Sequence, residues 1–148
     1  MTAAQAPNPD FAQLIPSVVL SMPAAAHLGF HFSRVEPGDV EIVQPHRREL
    51  TQHDGYFQGG VLGSLADFAA GSAAGTLLPA GWVNMTIDYT VKILAPAKGP
   101  DVVARGRVLK PGALLTIAAA DVFSVDDSGE TLCATALVTM RNVRLAAS

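Results

Sequence analysis

The sequence predicts an α+β domain in which one antiparallel sheet is wrapped around one long central helix. Residues 59–78, GGVLGSLADFAAGSAAGTLL, are the one stretch long and apolar enough for a buried helix. Segments with strand patterns follow it at 85–94, 101–109, 113–125 and 130–143. The breaks between them, Lys98-Gly99-Pro100, Lys110-Pro111-Gly112 and Asp126-Asp127-Ser128-Gly129, are short turn sequences. Short breaks of this kind suit antiparallel neighbours.

Composition sets the outer bounds. The chain has 148 residues, 49% of them hydrophobic and 16% charged, which fits one globular domain and excludes a disordered chain. A net charge of −3 with no basic run lacks the footprint of a nucleic-acid binder. The single Cys133 allows no disulfide within the chain, fits a reducing, cytoplasmic setting, and reads as a packed strand residue in GETLCATALVTM. No basic residue precedes Arg34, so the charged start of a secretory signal is missing. Residues 59–81 contain Asp67, several glycines and Pro79 and lack basic flanks, so a core helix is expected there and no membrane span.

Taken in order, residues 1–9, MTAAQAPNP, read as a flexible N-terminal leader, and residues 10–148 as a single domain. DFAQLIPSVVL starts on a plausible cap, Asp10, and predicts a short helix interrupted or tilted near Pro16. HLGFHFSRV and DVEIVQPHRREL predict two strands joined at Pro37, Gly38 and Asp39, followed by the irregular TQHDGYFQ. Glycines inside the long helix cost about 1 kcal/mol each against Ala. They make sense if a sheet or a second helix packs very close. In MTIDYTVKIL the apolar Met85, Ile87, Tyr89, Val91 and Ile93 alternate with the polar Thr86, Asp88, Thr90 and Lys92, the pattern of a half-buried strand.

Asp67 carries the chemical signal. It lies eight residues into the apolar helix, too deep to cap it. A carboxylate there is costly unless it is paired or hydrogen-bonded. One reading is structural, with a hydroxyl such as Ser64 or a strand arginine satisfying it. The other is a general base or nucleophile tuned by an apolar cleft. Gly59 and Gly60 open the same helix, where free N–H groups and the helix dipole suit an oxyanion. Eight residues of helix rise about 12 Å. Asp67 and the Gly59 amide of one chain therefore cannot share one carbonyl, and a shared site needs a second subunit.

HDGYFQGGVLGSLADFAAG followed by MTIDYTVKILAPA resembles the phenylacetate-degradation (PaaI-like) branch of hotdog-fold acyl-CoA thioesterases, over residues 24–142. The resemblance implies hydrolysis of an acyl-CoA, aryl or medium-chain, by a homodimer or homotetramer with no cofactor beyond the substrate's own CoA. It implies that Asp67 activates water or attacks the thioester, that the Gly59 amide beside Gly60 polarises the carbonyl, and that Gln52 assists. Thr86 matches the Ser or Thr of the following strand, although it falls among the polar residues of that strand. Gln58 stands where the family has His; it can donate a hydrogen bond but cannot titrate. Arg105, Arg107 and Lys110 fall in the region that the resemblance places near the CoA phosphates.

The remaining candidates are weaker. His27, His31 and His46 show no metal-ligand spacing with one another or with Cys133, so no metal is expected, and His53 reads as a solvated loop residue. Phe57, Phe68, Trp82 and Tyr89 are either core or the walls of an aryl pocket. A hydratase of this fold would carry His five residues after the aspartate, where this chain has Ser72. The alternative from another class is a non-catalytic acyl-CoA or aromatic-ligand binder.

Overall fold

The computed structural model describes residues 4–147. Two short helices, α1 (Phe11–Leu20) and α2 (Pro23–Leu28), precede strands β1 (His31–Glu36) and β2 (Asp39–Pro45). Two 3₁₀ turns, Arg48–Leu50 and His53–Gly55, lead into the long helix α3 (Gly59–Gly75). Strands β3 (Trp82–Ile93), β4 (Asp101–Lys110), β5 (Leu115–Asp126) and β6 (Gly129–Arg144) complete the described chain. The six strands form one antiparallel sheet in the order β1-β2-β4-β5-β6-β3, and α3 packs against β2 to β6. This is the expected α+β layout and a hotdog fold.

The core is alanine-rich because the helix lies very close to the sheet. Ala66, Ala69, Ala70, Ala73 and Ala74 of α3 are buried, as are Ala104, Ala118, Ala120, Ala134 and Ala136 of β4, β5 and β6. Gly106 on β4 sets the closest approach. A Cβ there would sit 2.2 Å from the Ala69 carbonyl oxygen, so any side chain would push helix and sheet apart.

The structure departs from the sequence reading in four places. Helix α2 was not expected, although Pro23 at its first turn and Gly29 beyond its end (φ 82°) are the usual start and stop residues. Pro16 lies inside α1 without interrupting it, which removes one of the two expectations there, interruption or tilt. Lys98-Gly99-Pro100 does not join sheet neighbours, because β3 lies at the sheet edge beside β6 and β4 pairs with β2 and β5. Residues 94–100 make the crossing, and seven residues reach up to about 25 Å, more than the roughly 14 Å of three strand spacings. Along the crossing Leu94 N donates to Cys133 O at 2.7 Å and Phe57 N to Ala97 O at 2.8 Å.

The fourth departure is in β3. Its pairing with β6 shifts between Thr86 and Asp88, which leaves Ile87 as the extra residue of a bulge. Before the bulge Asn84 and Thr86 stand opposite the buried Asn142 and Met140; after it Tyr89 and Val91 stand opposite the buried Val138 and Ala136. The face turned toward α3 thus changes from even to odd positions within the strand. The strand is also more open than its alternation predicts, with Met85 56% and Ile87 58% exposed. Near the end of the expected leader Asn8 is buried and its Oδ1 accepts from Asp10 N at 3.0 Å; residues 1–3 lie outside the described residues.

Candidate active site

Asp67 sits in the middle of α3, half-buried, with its flank turned toward β3. Thr86 Oγ1 donates to Asp67 Oδ1 at 2.7 Å. The bulge makes this bond, since it brings a residue from the polar set of β3 onto the inner face. Burial raises the Asp67 pKa above the ordinary aspartate value, and the Thr86 bond opposes that rise. No arginine or lysine pairs with it among the described residues. Ser64, the other structural partner considered, returns its hydroxyl to Gly60 O at 3.0 Å. The carboxylate is therefore held by one hydroxyl, with no opposing charge.

It opens onto an apolar cavity of about 370 Å³ between α1, α3 and the start of β3. Phe11, Ile15 and Val18 of α1 form one wall, Phe68 and Gly71 of α3 another, and Trp82 and Thr86 a third. Two of the four aromatic candidates, Phe68 and Trp82, thus line the same cavity as Asp67. Phe57 lines a different one, and Tyr89 packs over Gly63. The part played by α1 was missed, although its apolar residues Phe11, Ile15 and Val18 recur at the spacing of one helix face.

Gln52 and Gly59 line a second cavity of about 340 Å³, together with Tyr56, Leu62 and residues 93–97. Neither Asp67 nor Thr86 lines it. The two halves of the expected site are separated within one chain, as the helix rise required. Gln52 is exposed, and its backbone N–H donates to Tyr56 O at 2.8 Å to close the turn before α3. At the helix start the first N–H groups, Gly59 and Gly60, have no intrahelical acceptor.

Gln58 has a structural duty as well. It is the N-cap of α3, and its Oε1 accepts from Val61 N at 3.1 Å. This leaves the side-chain NH₂ as its donor group. Gly60 is explained by the same cap, because a Cβ there would lie 2.8 Å from Gln58 Oε1.

The basic candidates all lie on β4. Arg105 is bound by Glu41 (2.7 Å) and Glu130 (2.6 Å), and Arg107 by Asp121 (2.9 Å). Carboxylates thus bind both guanidinium groups. Lys110, at the end of β4, is exposed and has no carboxylate partner among the described residues. No group of His, Cys, Asp and Glu fit to hold a metal occurs among them either, and no helix is long and apolar enough to cross a membrane.

Comparison with solved structures decides the family. A thioesterase family protein from Silicibacter pomeroyi is 32% identical, with a TM-score of 0.88 over 90% of this chain and 98% of that one. The chain belongs to the thioesterase family. A thioesterase from Haemophilus influenzae (22% identity, TM-score 0.80, 91% and 92% of the two chains) shares the fold. So does a phenylacetic acid degradation-related protein from Ralstonia eutropha (23%, 0.75, 88% and 98%). No family model and no curated protein matches the sequence. Within one chain, Asp67 and Thr86 lie on one cavity and Gln52 and Gly59 on the other.

Proposed function

We propose that this thioesterase hydrolyses an acyl-CoA to the free acid and CoA, in a site that two copies of the chain complete together. The observation that carries the reading is the unpaired, half-buried carboxylate of Asp67, oriented by Thr86 at the wall of an apolar cavity. The acyl group occupies that cavity. Asp67 delivers the oxygen nucleophile, either by deprotonating water or by attacking the carbonyl itself to give an acyl anhydride that water then hydrolyses, freeing the acid and Asp67. Charge developing on the carbonyl oxygen is met by the Gly59 amide at the positive end of a helix. Gln52 and the Gln58 NH₂ add hydrogen bonds, and CoA leaves as the thiolate and takes up a proton. Of the three basic candidates, Lys110 is the one without a carboxylate partner among the described residues and so the readiest for a CoA phosphate.

The second copy is supported by β3. It is a long edge strand, with Met85, Ile87, Tyr89 and Ile93 all exposed, and such an edge invites pairing. If β3 pairs antiparallel with its symmetry copy, the Trp82 end of one strand lies beside the Ile93 end of the other. The first end borders the Asp67 cavity and the second borders the Gln52 and Gly59 cavity. One isologous contact would then build two complete sites. The sequence argument left the glycine flank of α3 to a sheet or a second helix. In the structure the chain's own β3 covers part of it, with Ile93 over Gly59 and Tyr89 and Val91 over Gly63.

The reading is tested by thiol release from a panel of acyl-CoAs with the wild type and Asp67→Asn. Turnover should fall at least about a hundredfold in the variant, which keeps the shape but neither deprotonates water nor attacks, while acyl-CoA binding survives. Equal turnover would remove Asp67 from the reaction. Binding without turnover in the wild type would favour the ligand-binder alternative, to which the commitment of Gln58 to capping also points.

A further inference from the structure

The loop from Gln52 to Phe57 carries one group of the proposed site at its start and delivers the chain to Gln58 and Gly59 at its end. Backbone bonds pin its two ends: Gln52 N to Tyr56 O at 2.8 Å, Phe57 N to Ala97 O at 2.8 Å and, just beyond, Gln58 N to Leu50 O at 3.0 Å. Its tip bends through two left-handed residues, Asp54 (φ 62°) and Gly55 (φ 79°), and a residue with a side chain rarely adopts the first of these conformations. Among the described residues, one hydrogen bond ties the tip, His53–Gly55, to chain outside the loop. In it His46 Nε2 donates to Gly55 O at 2.9 Å. A carbonyl only accepts, so Nε2 carries the hydrogen. The donor is itself fixed. His46 N donates to Pro100 O at 2.8 Å, and the imidazole meets the buried Phe57 ring edge-on at 5.3 Å between centroids.

We infer that His46 is a positioning residue, which holds the turn 52–57 in the geometry that aims Gln52 at the thioester carbonyl. The inference rests on the reading of Gln52 as a hydrogen-bond donor on the carbonyl side of the site. Gln52 is exposed, and its side chain has no hydrogen-bond partner among the described residues. Its direction is therefore set by its backbone, which Tyr56 O closes into the turn that His46 fixes. Lys98 Nζ lies over the Tyr56 ring at 4.9 Å. That contact steadies the ring and leaves the backbone at the tip to His46. His46 is exposed as well, and an exposed hydrogen bond adds little to stability, because water replaces either partner when it breaks. The value of the bond lies in the geometry of the loop. A misplacement of about 1 Å at a reacting group can cost about a hundredfold in rate.

Kinetics and amide exchange of His46 variants test this, with the acyl-CoA that the wild type hydrolyses fastest. His46→Ala should lower kcat by about tenfold or more, with KM and Tm close to wild type. His46→Gln carries an N–H at nearly the same reach and should restore most of the rate; His46→Asn, one methylene shorter, should not. Added to Gln52→Ala, the His46→Ala change should slow turnover no further, because the two losses are one. The Gln52 N–H, bonded to Tyr56 O, should exchange about tenfold faster in His46→Ala while the amides of α3 and the strands are unchanged. Losses that multiply in the double variant would overturn the inference, as would wild-type kcat in His46→Ala. A lowered Tm with faster exchange throughout the sheet would overturn it too, since His46 would then be structural. The exchange measurement needs no turnover, so it judges His46 even if Gln52→Ala proves fully active or no acyl-CoA is hydrolysed. Faster exchange confined to the loop then upholds the hold of His46 on the turn while the reading of the reaction fails; unchanged exchange overturns the role of His46 as well.

Discussion

On the flank of α3 that faces β4, backbone meets backbone: Gly106 leaves 2.2 Å between its absent Cβ and the Ala69 carbonyl oxygen, and alanines fill the rest. On the flank that faces β3, the residues at four-residue spacing are Gly59, Gly63, Asp67, Gly71 and Gly75, and the covering is looser. A Cβ on Gly63 would meet Val91 and Tyr89 at 3.6–3.7 Å, which is ordinary contact. Both flanks use small residues, for opposite ends. The first removes side chains so that the sheet can close on the helix; the second leaves a carboxylate, two cavities and an open edge strand. A glycine in this helix is thus no guide by itself to where packing is tight.

The largest expected effect breaks this comparison directly. Gly106→Ala forces apart two backbones that cannot yield locally, and should cost about 3 kcal/mol or more. Gly63→Ala meets flexible side chains at ordinary distances and gains up to about 1 kcal/mol of helix propensity. Thermal melts of the two variants should move in opposite directions. A similar loss for both would mean that the β3 flank is as closed as the β4 flank.

The next effect concerns the shared site. Asp67→Ala and Gln52→Ala should each be nearly inactive alone. Reassociating an equal mixture makes about half the dimers mixed, each with one site that carries both native residues. Activity should therefore recover to about a quarter of wild type (symmetric pairing). Subunit exchange shown by mass spectrometry without any recovery would refute a site built across two chains.

What the sequence revealed follows from how local each feature is. The long helix, the strand segments and the depth of Asp67 in an apolar run were legible, because period and burial cost are written in neighbouring residues. The edge position of β3 was not, since a short Gly-Pro break resembles a hairpin whether or not the chain crosses the sheet. The role of Thr86 was obscured for a related reason. Its polar parity argued against an inward position, and the bulge at Ile87 that reverses parity has no glycine to mark it. Arg105 and Arg107 were free cations in the sequence; the acids that hold them come from β2, β5 and the start of β6.

A smaller effect is set by pH. The proposed mechanism needs Asp67 ionised, and burial raises its pKa, so the rate should fall on acidification through a value above the ordinary aspartate range. Gln58 adds no titration of its own. The stability sign is opposite to that of a salt-bridged carboxylate. A carboxyl whose pKa is raised on folding holds its proton more tightly in the folded state. Its unfavourable contribution therefore grows as pH rises from the unfolded to the folded value. Asp67→Asn should accordingly gain thermal stability relative to wild type at neutral pH, and lose that gain at about pH 3, below both values. A variant less stable than wild type at neutral pH would mean that the carboxylate is structural.

The smallest effect is expected at Gln58, where a cap and a proposed catalytic position coincide. Gln58→His removes the amide oxygen that accepts from Val61 N, and loss of an N-cap costs about 1 kcal/mol. The imidazole can recover part of this if one ring nitrogen accepts the same bond in its neutral form, and protonation would then remove the acceptor. The variant should therefore melt slightly below wild type at pH 8 and further below it at pH 5. Its hydrolysis should also acquire an inflection near the histidine range, about pH 6.5, that wild type lacks. An unchanged pH profile with the stability loss intact would confine position 58 to capping the helix and take its side chain out of the reaction. A new inflection with little loss of stability would place it at the carbonyl, on the Gly59 side of the site and away from Asp67 of the same chain.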